Sequence, residues 1–246
     1  MLITPRRLAS IWGLQPEVVV HIGAHEAEEL EPYRQLGWGK RATVWVDAQP
    51  AKAALVRDRV RAYPEHRVIE AVLWDRAGER LEFKETNDTQ ASSLLELGVT
   101  TEIYPDIVVT GVREVITQTA ADALPFDELG RVDLVNLDIQ GAELHALKGF
   151  GEHLGQVRAI YSEVNSRELY RGGALFGELD EWLTGRGFRL VDQEMLWGVA
   201  WGDALWLRAE DVPSNAAARR RRRRLLDLPK RIKHVIWWLV KGRRSH

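Results

Sequence analysis

Apolar residues come in short blocks along this chain, spaced by polar stretches with helical composition. Val18-Val19-Val20 runs through His21 and Ile22 into Gly23. A strand apolar on both faces belongs inside a parallel sheet covered on both sides. The pattern predicts strands at Glu17 to Ile22, Ala42 to Val46, Val68 to Leu73, Val132 to Leu137 and Val157 to Val164. Helices are expected from Glu31 to Leu36, from Pro50 to about Ala62, from Ala120 to Leu129, from Ala142 to Leu147 and from Leu175 to Arg186. Phe188 to Asp192 and Ala204 to Arg208 read as paired strands with no helix between them, so the last must run antiparallel. The expected architecture is α/β: an open, mostly parallel sheet with helices on both faces and an antiparallel hairpin at one edge.

Two segments break this alternation. Residues 1–16 form a lead-in with a short helix around Leu8 to Trp12. Residues 80–119 interrupt the body (17–210) with a strand at Arg80 to Lys84, a second near Val112 to Thr119, and a polar stretch between them. Long irregular excursions in α/β domains serve as lids or substrate loops.

In open α/β sheets ligands lie outside the carboxyl ends of the strands. His21 and Gly23 fall there, as do Asp47, Asp75, Asp138 and Glu163 after four successive strands. Each acid alone could simply cap the following helix. Together they suggest a site. A dinucleotide fingerprint needs glycines two and five places after Gly23, where this chain has His25 and Glu28. Glu26, Glu28 and Glu29 would repel a phosphate at a helix start. A nucleoside with a neutral or cationic tail suits the loop better, and S-adenosylmethionine fits that description. Asp47, 24 residues after Gly23, is placed to bind a ribose hydroxyl pair. Asp138 could be a general base, a metal ligand or an acceptor toward the cationic ligand. His21 and His25 carry no zinc-type spacing, so a divalent ion held through carboxylate oxygens is a weaker reading.

Six stretches in order are familiar: His21-Ile-Gly-Ala-His-Glu-Ala-Glu-Glu29, Val46-Asp-Ala-Gln-Pro50, Ser92-Ser-Leu-Leu-Glu-Leu-Gly98, Asn136-Leu-Asp-Ile-Gln-Gly-Ala-Glu-Leu144, Tyr161-Ser-Glu-Val-Asn165 and Trp201-Gly-Asp-Ala-Leu205. From about Val18 to Arg208 the chain resembles the FkbM family of S-adenosylmethionine-dependent methyltransferases. The resemblance implies a class I methyltransferase fold with a seven-stranded sheet, and O-methylation of a hydroxyl on a saccharide, glycolipid precursor or natural product. It implies that Gly23 and Ala24 line the cofactor loop, with His21 and His25 flanking it. Asp47 would bind the ribose and Asp75 would lie near the adenine. Asp138 would face the methyl group, with Glu163 beside it, and Ser92 and Ser93 would supply polar contacts from the lid. The chain departs from the family pattern at His21 (commonly an acid), His25 (Asn), Ala27 (Gly) and Gln140 (Glu). The rival readings are an NAD-dependent oxidoreductase or sugar-nucleotide enzyme, and a non-catalytic adenosyl-binding module.

Charge changes the picture at the carboxyl end. The formal net charge is −2, but from Arg219 onward 12 Lys and Arg face a single acid, leaving about −13 on the rest. Arg219 to Arg224 is an uninterrupted basic run, and Pro229 can open a basic amphipathic helix bearing Ile232, Val235, Ile236, Trp238 and Leu239. That is the form of an interfacial helix. Within a basic amphipathic tail at 211–246, residues 219–246 are therefore expected to touch an anionic membrane surface, the alternatives being a solvated tail or a helix docked on a partner protein. The acidic body argues against nucleic acid as a partner. With no cysteine, no signal segment at Met1 to Ile11 and no bilayer-length apolar run, the expected location is cytoplasmic, peripheral on the inner membrane face.

Overall fold

The computed structural model describes residues 1–195 and 199–223. The chain opens with α1 (Pro5–Arg7) and a wider helical turn at Leu8–Trp12. It continues through β1 (Val18–Ile22), α2 (Leu30–Leu36), β2 (Ala42–Asp47), α3 (Pro50–Val60) and β3 (His66–Glu70). An excursion follows, with β4 (Val72–Leu73), β5 (Arg80–Thr86), α4 (Thr100–Ile103) and β6 (Val109–Gln118). The body resumes with α5 (Ala120–Ala123), α6 (Phe126–Leu129), β7 (Leu134–Leu137), α7 (Glu143–Lys148) and β8 (Ala159–Asn165). It closes with α8 (Phe176–Thr184), β9 (Phe188–Met195) and β10 (Trp201–Arg208).

Among the described residues the main sheet has seven strands in the order β3-β2-β1-β7-β8-β10-β9. The neighbours from β3 to β8 pair parallel, and β10 pairs antiparallel with both β8 and β9. The expected edge hairpin is present, and its returning strand inserts between β8 and β9. The chain winds outward from β1 through β3, then restarts at β7 beside β1. That switch point is where two strand-end loops part and leave a crevice.

Alternate strand residues feed two cores. Val18, Val20 and Ile22 pack on one face with Val44, Val135 and Ile160. Val19, Trp45, Leu134, Tyr161 and Leu205 pack on the other, where Ile3, Leu8, Ile11 and Trp12 of the lead-in join them. All five β1 residues are buried, as the strand's position between β2 and β7 requires.

Two expected elements are broken. The strand expected from Val68 to Leu73 splits at Ala71. Its first half stays in the main sheet and its second half pairs with β6 in a small sheet ordered β4-β6-β5. The helix expected from Ala120 to Leu129 is interrupted because Pro125 crowds the backbone before it, and Leu124 is extended at ψ 140°.

The basic run is partly spent on the body. Residues 216–223 are helical. The Arg219 guanidinium donates to the Ile11 carbonyl at 3.1 Å. Arg223, 1% exposed, pairs with the fully buried Asp192, with Glu194 at 2.8 Å and with the Gln193 carbonyl at 2.8 Å. Trp12 Nε1 donates to the same Asp192 at 2.9 Å. Arg221 and Arg222 remain exposed. The amphipathic helix expected from Pro229 lies outside the described residues. Among those described, no helix is long and apolar enough to cross a membrane.

Removing Arg223 would leave two carboxylates without their buried counter-charge. Arg223→Ala is expected to cost about 3 kcal/mol in urea unfolding. Arg222→Ala should leave the transition in place, and equal effects would show that the buried pairing contributes nothing.

Candidate functional site

A cavity of about 500 Å³ opens at the switch point, over the carboxyl ends of β1, β2, β7 and β8. Its wall is asymmetric in charge. Glu28, Glu29, Asp47, Asp138, Glu163 and Asp203 all line it, and among the described residues no Lys or Arg does. Apolar surface comes from Val72, Leu73 and Phe83, and aromatic surface from Tyr104, Tyr161, Tyr170 and Trp201.

The loop after β1 owes its shape to a close approach. Gly23 has φ +86°, and a Cβ there would sit 1.9 Å from the Asp138 carbonyl oxygen. Its glycine is required by the neighbouring β7 loop, whatever the ligand. Its N–H and that of Ala24 both donate to the Val46 carbonyl at 2.9 Å. His25 (φ +43°) and Ala27 (φ +53°) follow in left-handed conformations that favour Asn and Gly. These are two of the positions where the chain departs from the family pattern, so it carries strain there instead.

Asp47, at the end of β2, is 5% exposed. Its two oxygens accept the N–H groups of His25 at 2.7 Å and Gln49 at 2.8 Å. Burial raises its pKa, and those donors together with His25 and Lys52 offset part of the rise. One lone pair on each oxygen stays available on the cavity side, which suits a vicinal diol. Glu28 is held by His25 Nδ1 at 2.7 Å, and the other His25 nitrogen meets Thr89 of the excursion between β5 and β6 at 2.9 Å. The turn Thr89–Ala91 also lines the cavity.

His21 is buried beneath the loop. Its Nδ1 lies 3.3 Å from both the Tyr33 hydroxyl and the Asn136 amide, and its Nε2 is 3.9 Å from Glu29. Burial lowers its pKa despite Glu29 nearby, so it is neutral at pH 7. The network assigns the proton to Nε2, facing Glu29.

The acids at the deep end act on one another. The Asp138 side chain is open to the cavity while protein encloses it on its other sides, and burial raises its pKa while Gln140 lowers it. Glu163 is pushed well above the usual carboxylate range by burial and by the charges of Asp138 and Glu143. Glu143 is pushed up to about 7 by burial, although it accepts the Ile139 N–H at 3.0 Å and the Gly141 N–H at 3.1 Å. Asp203 is pushed up to about 6 by burial, against the pull of the Met1 amino group and the bond from Ile3 N–H. It also accepts from the Tyr161 hydroxyl and from Leu2 N–H.

Of the residues singled out from sequence, His21, Gly23, His25, Asp47, Asp138 and Glu163 line this cavity. Three others do not. Asp75 turns outward and bonds His145 Nδ1 at 3.0 Å, beside the Trp74 ring stacked on that imidazole. The bend at Ala71 brings Ala71, Val72 and Leu73 to the wall in its place. Ala24 is buried behind the loop. Ser93 sits behind the wall, donating to the Gln140 carbonyl at 2.7 Å, while Ser92 is on the wall. Gln140, Tyr170 and Asp203 were missed as site residues. Gln140 and Asp203 stood inside quoted motifs, whereas nothing local marks Tyr170. Among the described residues no group of three His, Asp or Glu is gathered to hold a metal ion.

The model of the methyltransferase FkbM domain matches residues 18–190. The chain belongs to that family. It is 26% identical over 174 residues to the 2-O-methyltransferase NoeI of Sinorhizobium fredii, spanning 68% of this chain and 71% of that protein. Among solved structures it is similar to the methyltransferase FkbM from Methylobacillus flagellatus (13% identity, 77% of this chain and 43% of that one, TM-score 0.48). It is also similar to magnesium protoporphyrin IX methyltransferase from Synechocystis (12% identity, 83% and 76%, TM-score 0.45). The protein is a methyltransferase enzyme with a Rossmann-like sheet.

Glu143 offers a test of the buried charge. Its raised pKa means that the folded chain holds its proton more tightly than the unfolded one. Stability from this group is therefore full below about pH 4.5 and lost as pH rises to about 7. Glu143→Gln keeps an oxygen for both N–H groups. Compared with wild type in urea unfolding, it should gain a few kcal/mol between roughly pH 5 and pH 8. Parallel pH profiles would show that the carboxylate is not held at this cost.

Proposed function

We propose that this methyltransferase uses S-adenosylmethionine to methylate a hydroxyl of an uncharged, polyhydroxylated acceptor such as a saccharide or glycolipid precursor. The single observation that carries the reading is the cavity wall: a ribose-type carboxylate at Asp47 and acids at the deep end, with no basic side chain among the described residues. The residues fit the cofactor. Asp47 would take the ribose hydroxyls, the Ala71–Leu73 segment and Phe83 would flank the base, and Glu28 and Glu29 would face the cationic end.

The cofactor supplies an electrophilic methyl group on a sulfonium. The protein has to aim a hydroxyl at it and accept one proton. Asp138 and Glu163 have environments that separate their roles. Glu163, the more strongly shifted, keeps a proton and donates a hydrogen bond to the acceptor. Asp138, the less strongly shifted of the two although the Gln140 amide reaches both, is the better base and takes the hydroxyl proton. Tyr104 and Trp201, bonded to each other at 3.0 Å, provide a flat amphipathic surface of the kind sugar rings stack on. An acceptor bearing phosphate near the reacting hydroxyl would meet the acids and be rejected. Peripheral contact with an anionic membrane surface through the basic tail remains part of this proposal. Because Arg219 and Arg223 bind the body, its test is a chain ending at Arg223, expected to lose vesicle sedimentation.

Calorimetry checks the cofactor. S-adenosylmethionine and S-adenosylhomocysteine should bind, NAD should not, and Asp47→Asn should weaken binding about 10- to 100-fold. Asp138→Asn should bind the cofactor within about twofold of wild type and lose at least about 100-fold in kcat. Binding of NAD alone would overturn the assignment, and a phosphorylated sugar outperforming its neutral counterpart would overturn the acceptor class.

A further inference from the structure

Asp138 is joined to the lid by a chain of hydrogen bonds that can be satisfied in two ways. Gln140 Nε2 donates to Asp138 Oδ1 at 2.6 Å. The Tyr170 hydroxyl donates to Gln140 Oε1 at 2.6 Å, and lies 3.2 Å from the carbonyl oxygen of Ala91 on the lid turn. A tyrosine hydroxyl has one proton, so it serves one of those two oxygens well at a time. Gln140 is kept in place at a cost. Its φ is +56°, a left-handed value that strains a non-glycine residue. The Ser93 hydroxyl on its carbonyl at 2.7 Å holds that conformation. Next to it Gly141 has no room for a Cβ, which would come within 2.9 Å of Tyr170. Three segments remote in sequence thus converge on one amide.

We propose that Gln140 and Tyr170 form a reversible relay in which the protonation of Asp138 decides whether the Tyr170 hydroxyl bonds Gln140 or the lid carbonyl of Ala91. With Asp138 ionised, the Gln140 NH2 points to the carboxylate, its oxygen accepts from Tyr170, and Ala91 is released. When Asp138 has taken a proton, its new O–H needs an acceptor. The Gln140 amide turns over to offer its oxygen, its NH2 then donates to the Tyr170 oxygen, and the Tyr170 O–H rotates to donate to the Ala91 carbonyl. No proton leaves its owner along the relay, and each hydroxyl and amide is satisfied in both states. Asp138 also faces His21, Glu29, Glu143, Glu163, Asp203 and the Met1 amino group, and the Gln140 side chain bonds Glu163 as well as Asp138. None of these touches the lid carbonyl, so Tyr170 is the link between the base and the lid. Gln140 and Tyr170 are positioning residues. In the proposed methyl transfer, they would tighten the lid turn once the acceptor's proton has arrived. This timing rests on Asp138 as the base, whereas the coupling itself does not need the cofactor.

The test is a double-mutant cycle read by hydrogen exchange across residues 88–93 of the full chain without cofactor, at one pH. Asp138→Asn mimics the protonated acid, since its NH2 donates to a turned Gln140. It should slow exchange of the lid turn about three- to tenfold relative to wild type. In the Tyr170→Phe background, which keeps the ring, the same substitution should change nothing. Gln140→Met, which removes the amide but preserves length, should also abolish the effect and guards against misfolding of Tyr170→Phe. With cofactor and acceptor, Tyr170→Phe should lower kcat about tenfold while leaving the S-adenosylmethionine KM unchanged. An Asp138→Asn effect that persists without Tyr170, or is absent from the wild-type background, overturns the relay. Loss of cofactor binding would instead overturn the methyltransferase chemistry and leave the exchange cycle interpretable.

Discussion

Only a hydrogen fits between the Gly23 α-carbon and the carbonyl of Asp138. β1 and β7 are neighbours at the point where the winding of the sheet reverses, and their exit loops must pass each other there. Because the two backbones meet, the Asp138 side chain is aimed into the crevice and the loop from Gly23 to Glu29 arches over it. Three of the four described non-glycine residues with positive φ lie close to this contact, His25, Ala27 and Gln140, the fourth being Ala200 just before β10. Each of the three is restrained by a hydrogen bond, His25 to Asp47, Ala27 within its own loop to the Ala24 carbonyl, and Gln140 from the Ser93 hydroxyl. Strain of this kind persists only where the surroundings over-determine it, and such places cluster at sites of chemistry.

The second constraint is electrostatic. Burying several carboxylates together is unfavourable, and Glu143, Glu163 and Asp203 respond by holding protons more tightly. The neutral His21 does not compensate them. A wall of this sign attracts cations and resists anions. Away from the site Arg223 pairs with Asp192 and Glu194. The imbalance lies on the cavity wall and just behind it at Glu143, as expected where charge is kept for a ligand.

Much of the fold was legible along the chain. Val18 to Ile22 announced a central strand, Pro50 a helix start, and the missing helix before β10 an antiparallel return. Errors arose where a local signal met a longer-range one. Val68 to Leu73 reads as one strand interrupted only by Glu70, and nothing in it says that Val72 will pair with Thr117 in a second sheet. Asp75 looked like a strand-end acid, but the bend at Ala71 turns it away toward His145. Gly23 stood out as a strand-end glycine, and only the fold shows that the Asp138 backbone fills the place its Cβ would take.

The sequence by itself determined the order of strands and helices, the acidic turn after β1 and the position of Asp47, Asp138 and Glu163 at strand ends. Those follow from hydrophobic period and from short-range chemistry, which act over a few residues. Only the tertiary structure decided that Tyr170, Ser93 and Ala91 would close around Gln140. It also decided that Arg223 would leave a basic run to be buried against β9, and that Ser92 rather than Ser93 would reach the cavity. These outcomes depend on contacts between segments tens to hundreds of residues apart. They are set by how two cores and a switch point pack together, which no local pattern encodes.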